Sequence, residues 1–105
     1  MINMKTVKGY TSMTKHHTKS TDQLFKALLN LESIEECYDF FDDLCTIKEL
    51  QDMSQRLDVA ILLNEGKNYQ EVSQLANVSS ATISRVNKCL VYGNGGYKNA
   101  ISKLD

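Results

Sequence analysis

The sequence predicts an all-α protein built from six helices. At four places a residue that can cap a helix is followed three positions later by Gln or Glu, and each pair precedes apolar residues at helical spacing. The chain contains no proline, and Gly66 and residues 93–96 mark points where helices are expected to end. The four capping pairs are Ser20 with Gln23, Ser33 with Glu36, Thr46 with Glu49, and Asn68 with Glu71.

The length of 105 residues indicates one folded domain, which we place at residues 21–105. Residues 1–20 are rich in Lys, Thr, Ser and Met without periodicity, and they are predicted to form a flexible extension. The adjacent His16 and His17 have no partners at ligand spacing, so neither a metal site nor a cofactor is predicted.

The cysteine pattern and the hydropathy indicate a cytoplasmic protein. Three cysteines at these spacings form neither a disulfide framework nor a zinc motif. No apolar run approaches the roughly 20 residues of a membrane span, so no membrane partner is expected. The cysteines are Cys37, Cys45 and Cys89.

The first two helices, expected to follow Ser20 and Ser33, carry more apolar residues than one short helix face can hold. Phe40 and Phe41, for example, point about 100° apart on a helix. We therefore predict a homodimer built through these helices. The alternative is that their apolar surface folds onto the third helix of the same chain. The apolar residues are Leu24, Phe25, Leu28, Leu29, Leu31, Ile34, Tyr38, Phe40, Phe41 and Leu44.

The third helix is predicted from about Ile47 to Glu65, with Gly66 as the residue that follows its C-terminal cap. Its inward or nearly inward side chains are expected to be Leu50, Met53, Leu57, Ala60, Ile61 and Leu63. Of these, Leu57, Ala60 and Ile61 are expected to form the floor on which the next two helices pack.

The segment Tyr69 to Lys88 has the spacing of a helix-turn-helix. Val72, Leu75 and Ala76 can share one face of a short helix, and Asn77 tolerates the left-handed conformation that a turn requires. Val78 is expected to fill the junction, and Ser79 to cap a second helix with Thr82, Ile83 and Val86 inside. A sixth helix is predicted from Tyr97, with Ala100, Ile101 and Leu104 on one face.

Such a unit usually places its second helix in the major groove of DNA, although an ordinary helical hairpin is the alternative. The charges agree with an approach to DNA, because residues 72–104 contain four cations and no acid, whereas residues 21–65 have a net charge of −8. Arg85 could read guanine, Ala81 could touch a thymine methyl group, and Lys88 is expected on phosphate. The predicted DNA-binding residues are Gln70, Ser79, Ser80, Ala81, Ser84, Arg85 and Lys88.

Three segments resemble the Trp repressor superfamily, and in particular its small bacterial YerC/YecD-type branch. The first is LESIEECYDFFDDLCTIKEL (31–50), the second is LLNEGK (62–67), and the third is SSATISRVNKCLVYGNGGY (79–97). The resemblance covers about residues 21–105. It implies an intertwined, all-helical homodimer whose two helix-turn-helix units are separated by about one turn of DNA, ~34 Å.

The resemblance also implies a candidate ligand pocket. The family's two corepressor-binding arginines correspond to Arg56 and Arg85, its pocket threonine to Thr46, and its serine near the ligand amino group to Cys89. The larger Val86 replaces a glycine of that pocket, so tryptophan is not the expected ligand. From the residues alone, the alternative for Arg56 is an ion pair with Asp52 or Glu49 along its helix.

The sequence thus predicts a cytoplasmic homodimer that binds double-stranded DNA in a sequence-specific manner and regulates transcription. It also leaves room for gating by a small-molecule effector of unknown identity. The alternative function is a protein-interaction module that keeps the fold without DNA binding. An enzyme is not predicted, because no pair of nucleophile and base stands out.

Overall fold

The computed structural model describes residues 17–104, in which six α-helices form without any strand. This result confirms the predicted all-α class. None of the helices in the described part of the chain is both long and apolar enough to cross a membrane. The helices are α1 (Lys19–Leu29), α2 (Ile34–Leu44), α3 (Ile47–Asn64), α4 (Tyr69–Ala76), α5 (Ser80–Tyr92) and α6 (Gly96–Ser102).

The start of α1 differs from the prediction. Its cap is Thr18, whose hydroxyl accepts a hydrogen bond from the Thr21 N–H at 3.0 Å, so Ser20 lies inside the first turn. Lys19 and Ser20 are therefore helical, and residues 1–16 of the predicted extension lie outside the described residues. The expected pairing of Ser20 with Gln23 was wrong because Thr18 provides a cap hydroxyl two residues earlier.

Only one of the two hydrogen bonds predicted for the second capping pair is present. Ser33 accepts the Glu36 N–H at 3.1 Å, as expected of a cap. The Glu36 carboxylate, however, accepts the N–H of Glu32 at 3.0 Å rather than that of Ser33. The Glu36 carboxylate therefore accepts a hydrogen bond from the backbone N–H group one residue before the cap.

The remaining helix boundaries agree closely with the sequence. The reciprocal capping boxes of Thr46 with Glu49 and of Asn68 with Glu71 are both complete. Gly66 adopts a left-handed φ of 93° just after α3, as a C′ glycine should. The sixth helix begins at Gly96, one residue before the predicted Tyr97.

By its contacts the chain divides into two compact units, with the boundary between Phe41 and Asp42. The described part of the first unit, residues 17–41, contains no buried residue. Phe40 and Phe41 meet edge to face there, with ring centroids 5.9 Å apart. Four large apolar side chains of this unit are exposed, namely Phe25, Leu29, Ile34 and Tyr38.

The second unit has a continuous hydrophobic core, in which α3 packs against α4, α5 and α6. Ala60, Ile83 and Val86 are buried as predicted. Val59 is also fully buried, although the sequence analysis did not select it. Leu57 and Ile61, predicted as part of the floor, are only partly buried, and Leu62 and Leu63 contact the core instead. The core cluster consists of Val59, Ala60, Val72, Ile83 and Val86.

Two helices are rotated relative to the predicted faces. In α4, Leu75 is 63% exposed, because the face toward the core runs from Val72 to Ala76 and includes Ser73, which bonds the following turn. In α6, Tyr97 and Ile101 contact the core, four residues apart on one stripe. Ala100 and Leu104 are exposed, so their predicted inward placement was wrong.

Candidate nucleic-acid interface

The segment predicted as a helix-turn-helix folds as two helices joined by a tight turn. Asn77 has φ 55° and ψ 52°, the left-handed conformation that its position required, and it is the only non-glycine residue with positive φ in the described chain. Ser79 then caps α5 by accepting the Thr82 N–H at 3.3 Å. Only three residues, 77–79, therefore join α4 to α5.

Polar contacts fix this turn from both sides. The Ser73 hydroxyl donates to the Val78 carbonyl oxygen at 3.0 Å, and the Gln55 amide of α3 donates to the Ala76 carbonyl oxygen at 3.5 Å. Val78 is half-buried and contacts the core cluster, which is the junction role expected of it. The second helix is thus held at its N-terminus by hydrogen bonds as well as by packing.

The two faces of α5 differ in chemistry. Ile83, Val86 and Leu90 are buried on the inner face. The outer face carries hydroxyl, methyl and cationic groups but no carboxylate, because residues 72–104 contain no acid. Within residues 17–104, neither Arg85 nor Lys88 forms an ion pair. All seven residues proposed to bind DNA are exposed: Gln70, Ser79, Ser80, Ala81, Ser84, Arg85 and Lys88.

A family model described as Trp repressor protein matches residues 19–105 of this chain. The chain belongs to the Trp repressor family. Uncharacterized protein YerC of Bacillus subtilis (strain 168) is 51% identical over 86 residues, which cover 82% of this chain and 83% of that protein. This agreement confirms the resemblance drawn from the sequence.

Two crystal structures of similar proteins have the same fold. A proposed Trp repressor from Staphylococcus aureus superimposes with a TM-score of 0.82 at 45% identity, covering 87% of this chain and 91% of that one. A TrpR-like protein from Eubacterium eligens superimposes with a TM-score of 0.81 at 43% identity, covering 88% of this chain and 98% of that one. The Trp-repressor-like helical fold therefore extends over most of the chain.

Of the residues that correspond to the family's ligand pocket, Arg56 lines a groove in the described chain. Arg56 is half-buried and lies at a groove of about 260 Å³ on α3 and the turn before it. Thr46, Arg85 and Cys89 do not line this groove, and all three are exposed. The groove is lined by Cys45, Glu49, Asp52, Met53 and Arg56.

The ion pair of Arg56 considered from the sequence is not present among residues 17–104. Asp52 instead pairs with Lys48 one turn earlier, at 3.2 Å between Nζ and a carboxylate oxygen. The Glu49 carboxylate accepts the Thr46 N–H at 2.8 Å as part of the capping box. Among residues 17–104, Arg56 therefore has no ion-pair partner, and the neighbouring carboxylates are already engaged.

Val86 contributes its side chain to the core rather than to a cavity, since only 1% of it is exposed. No cluster of three or more residues that could hold a metal ion occurs in the described part of the chain. Tyr92 is 83% exposed on α5 and was not among the residues predicted to bind DNA. Its spacing of four residues after Lys88 would have been enough to place it on the same face.

Proposed function

We propose that this protein is a non-enzymatic, sequence-specific DNA-binding regulator of transcription that acts as a homodimer. The observation that carries the proposal is the outer face of α5, which is exposed, free of acids and attached to the core by a helix-turn-helix. Membership of the Trp repressor family supports the same conclusion.

In this proposal the N-terminal half of α5 enters the major groove. Ser80, Ala81 and Ser84 are small enough to let the helix backbone approach the base edges, and hydroxyl groups can bond bases or phosphates. Arg85 has the length and the planar donor pair to read a guanine. Lys88 and Gln70 would contact phosphates on either side, where they fix register without reading sequence.

The homodimer is proposed from the first unit. Its two helices bury no residue in the described single chain, although Phe25, Leu29, Ile34 and Tyr38 are between 54% and 84% exposed. Burial of each such side chain in a partner surface would stabilise the complex by roughly 1.5–3 kcal/mol. A two-fold dimer would also present two copies of α5 to half-sites about 34 Å apart.

Gating by a small ligand is supported by the family and by the groove beside Arg56. Tryptophan is not the expected effector, because Val86 occupies the position of the family's pocket glycine, and Cys89 replaces a serine there. We expect L-tryptophan at millimolar concentration to leave the melting temperature and the DNA affinity unchanged. A saturable increase in either quantity would restore tryptophan as the effector.

A protein-interaction module is the second candidate. It is favoured by α2, on which Ile34 and Tyr38 are exposed among the acidic side chains Glu35, Glu36 and Asp39. Such a surface suits a partner that is both apolar and basic. In that case DNA would show no sequence preference.

Selection of bound sequences from a random duplex pool tests the proposal directly. A palindromic motif is expected, and absence of enrichment would favour the interaction module. On the selected site, the association constant should fall steeply with salt as counterions are released. Sedimentation should show a dimer at micromolar concentration, and a folded monomer would contradict that part of the proposal.

A pair of charge-matched double variants tests the assigned face. Ser80→Glu with Lys88→Glu should abolish specific binding, because both changes put negative charge against phosphate. Ser20→Glu with Lys26→Glu changes the charge by the same amount at exposed positions of α1 and should retain binding. Equal DNA affinity of the two folded variants would mean that α5 is not the DNA-binding face.

A further inference from the structure

The exposed face of α5 extends beyond the residues assigned to DNA contact. Arg85, Lys88 and Tyr92 follow Ala81 by four, seven and eleven residues, the spacing of one stripe along a helix. Tyr92 is 83% exposed. It lies about 16 Å further along the helix axis than Ala81, from a rise of ~1.5 Å per residue. A single exposed aromatic residue is ordinary, but its alignment with the cationic stripe is informative.

The C-terminal end of α5 is fixed directly after Tyr92. The Gly93 N–H donates to the Cys89 carbonyl oxygen at 2.8 Å. A Cβ atom at Gly93 would collide with that same oxygen, so the glycine allows the chain to leave the helix here. Tyr92 is therefore the last residue of α5, two positions after the buried Leu90.

We propose that Tyr92 is an additional DNA contact, which packs against the sugar–phosphate backbone and donates its phenol O–H to a phosphate oxygen. This inference rests on the proposed function. Helix-turn-helix proteins contact bases mainly through the N-terminal residues of the second helix, so a residue at the opposite end of α5 is a candidate for phosphate contact rather than base contact. Tyrosine is a regular phosphate donor, and within residues 17–104 the Tyr92 hydroxyl has no hydrogen-bond partner.

A neutral donor has an experimental signature that distinguishes it from Lys88. Removal of the hydroxyl in Tyr92→Phe should weaken binding to the selected site by about fivefold per half-site, the typical net value of one hydrogen bond. The slope of log association constant against log salt should not change, because no cation is lost. Lys88→Gln should instead reduce that slope by about one per half-site.

The loss caused by Tyr92→Phe should be similar for the selected duplex and for a scrambled duplex, because phosphate contacts carry no sequence information. Ser54→Ala is the control, since it removes a hydroxyl from an exposed position of α3 that is assigned to no contact and should leave the affinity unchanged.

Three outcomes would overturn the inference while the proposed function stands. They are wild-type affinity in Tyr92→Phe, a change in its salt slope, or a weakened dimer in sedimentation, which would assign Tyr92 to a contact between subunits. If the wild-type protein shows no sequence preference in the random-pool selection, the proposed function itself fails. The two failures are therefore separable within one set of measurements.

Discussion

Both units of this protein contain amphipathic helices, but in the described chain only the second unit has buried residues. All six buried residues in the described chain lie between Val59 and Leu90, in the second unit. The described part of the first unit has amphipathic helices with Leu29 84% exposed and Tyr38 61% exposed, and it has no buried residue. The second unit thus forms its own core, whereas the apolar face of the first has no such core.

This difference indicates that the two units are stabilised in different ways. In the second unit, α3 supplies Val59 and Ala60 as a surface that α4, α5 and α6 cover. The placement of α4 and α5 is therefore a consequence of packing within one chain. The first unit is the natural place for a partner, because large exposed apolar surfaces commonly mark interfaces.

The largest expected effect is at the core of the second unit. Ile83→Ala removes a fully buried side chain from α5 and should lower the free energy of unfolding by about 2–5 kcal/mol. Val91→Ala truncates a residue of the same helix that is 55% exposed, and it should change the free energy by less than about 0.5 kcal/mol. Both values come from urea unfolding at one protein concentration. Equal losses of free energy would mean that the inner and outer faces of α5 are packed to the same extent.

A change in the first unit should affect association more than folding. Leu29→Glu puts a charge on the apolar face and should raise the dimer dissociation constant by about 10- to 100-fold, since burial of one leucine contributes roughly 1.5–3 kcal/mol. Gln23→Glu is the control, because it adds the same charge at an exposed polar position of α1. Sedimentation equilibrium measures both variants.

The opposite result at Leu29 is equally informative. If Leu29→Glu has the same oligomeric state as the wild type but a lower free energy of unfolding, the apolar face packs within the same chain. If neither quantity changes, the face is not an interface between copies. The comparison between the two units then loses its explanation in terms of a second subunit.

The sequence was sufficient to predict the elements whose causes are local. Thr46 and Asn68 each have their acidic partner three residues ahead, and Asn77 stands where the turn needs a left-handed residue, so these features follow from short spacings. The buried stripe of α5, with Ile83 and Val86, follows from helical periodicity in the same way.

The errors concern features decided by neighbouring elements. The exposure of Leu75 depends on the rotation of α4, which is coupled to the bond between Ser73 and the Val78 carbonyl group. The full burial of Val59 depends on helices that are distant in sequence. For the candidate site, periodicity predicted the exposed face of α5. The pocket residues Thr46, Arg56, Arg85 and Cys89 come from the resemblance instead, and they stay a prediction.

The smallest expected effect is on folding stability, at the start of α3. Residues 42–58 belong to the second unit by their contacts yet include no buried residue. Hydrogen bonds contribute to their local structure, and the Thr46 cap is one of them. Its hydroxyl accepts the Glu49 N–H at 3.0 Å, while the Glu49 carboxylate accepts the Thr46 N–H at 2.8 Å.

Thr46→Ala should lower the free energy of unfolding by about 1 kcal/mol, because it leaves the Glu49 N–H without its acceptor. Thr46→Ser keeps the hydroxyl and should stay within a few tenths of a kcal/mol of the wild type. A loss as large as that of Ile83→Ala would show that the start of α3 is packed like the core. No loss at all would show that α3 does not depend on its cap. A loss of about 1 kcal/mol would mean that the start of α3 is stabilised mainly by its cap. Stabilisation by a packed core would then begin within α3, between Thr46 and Val59, and not at the boundary between the two units.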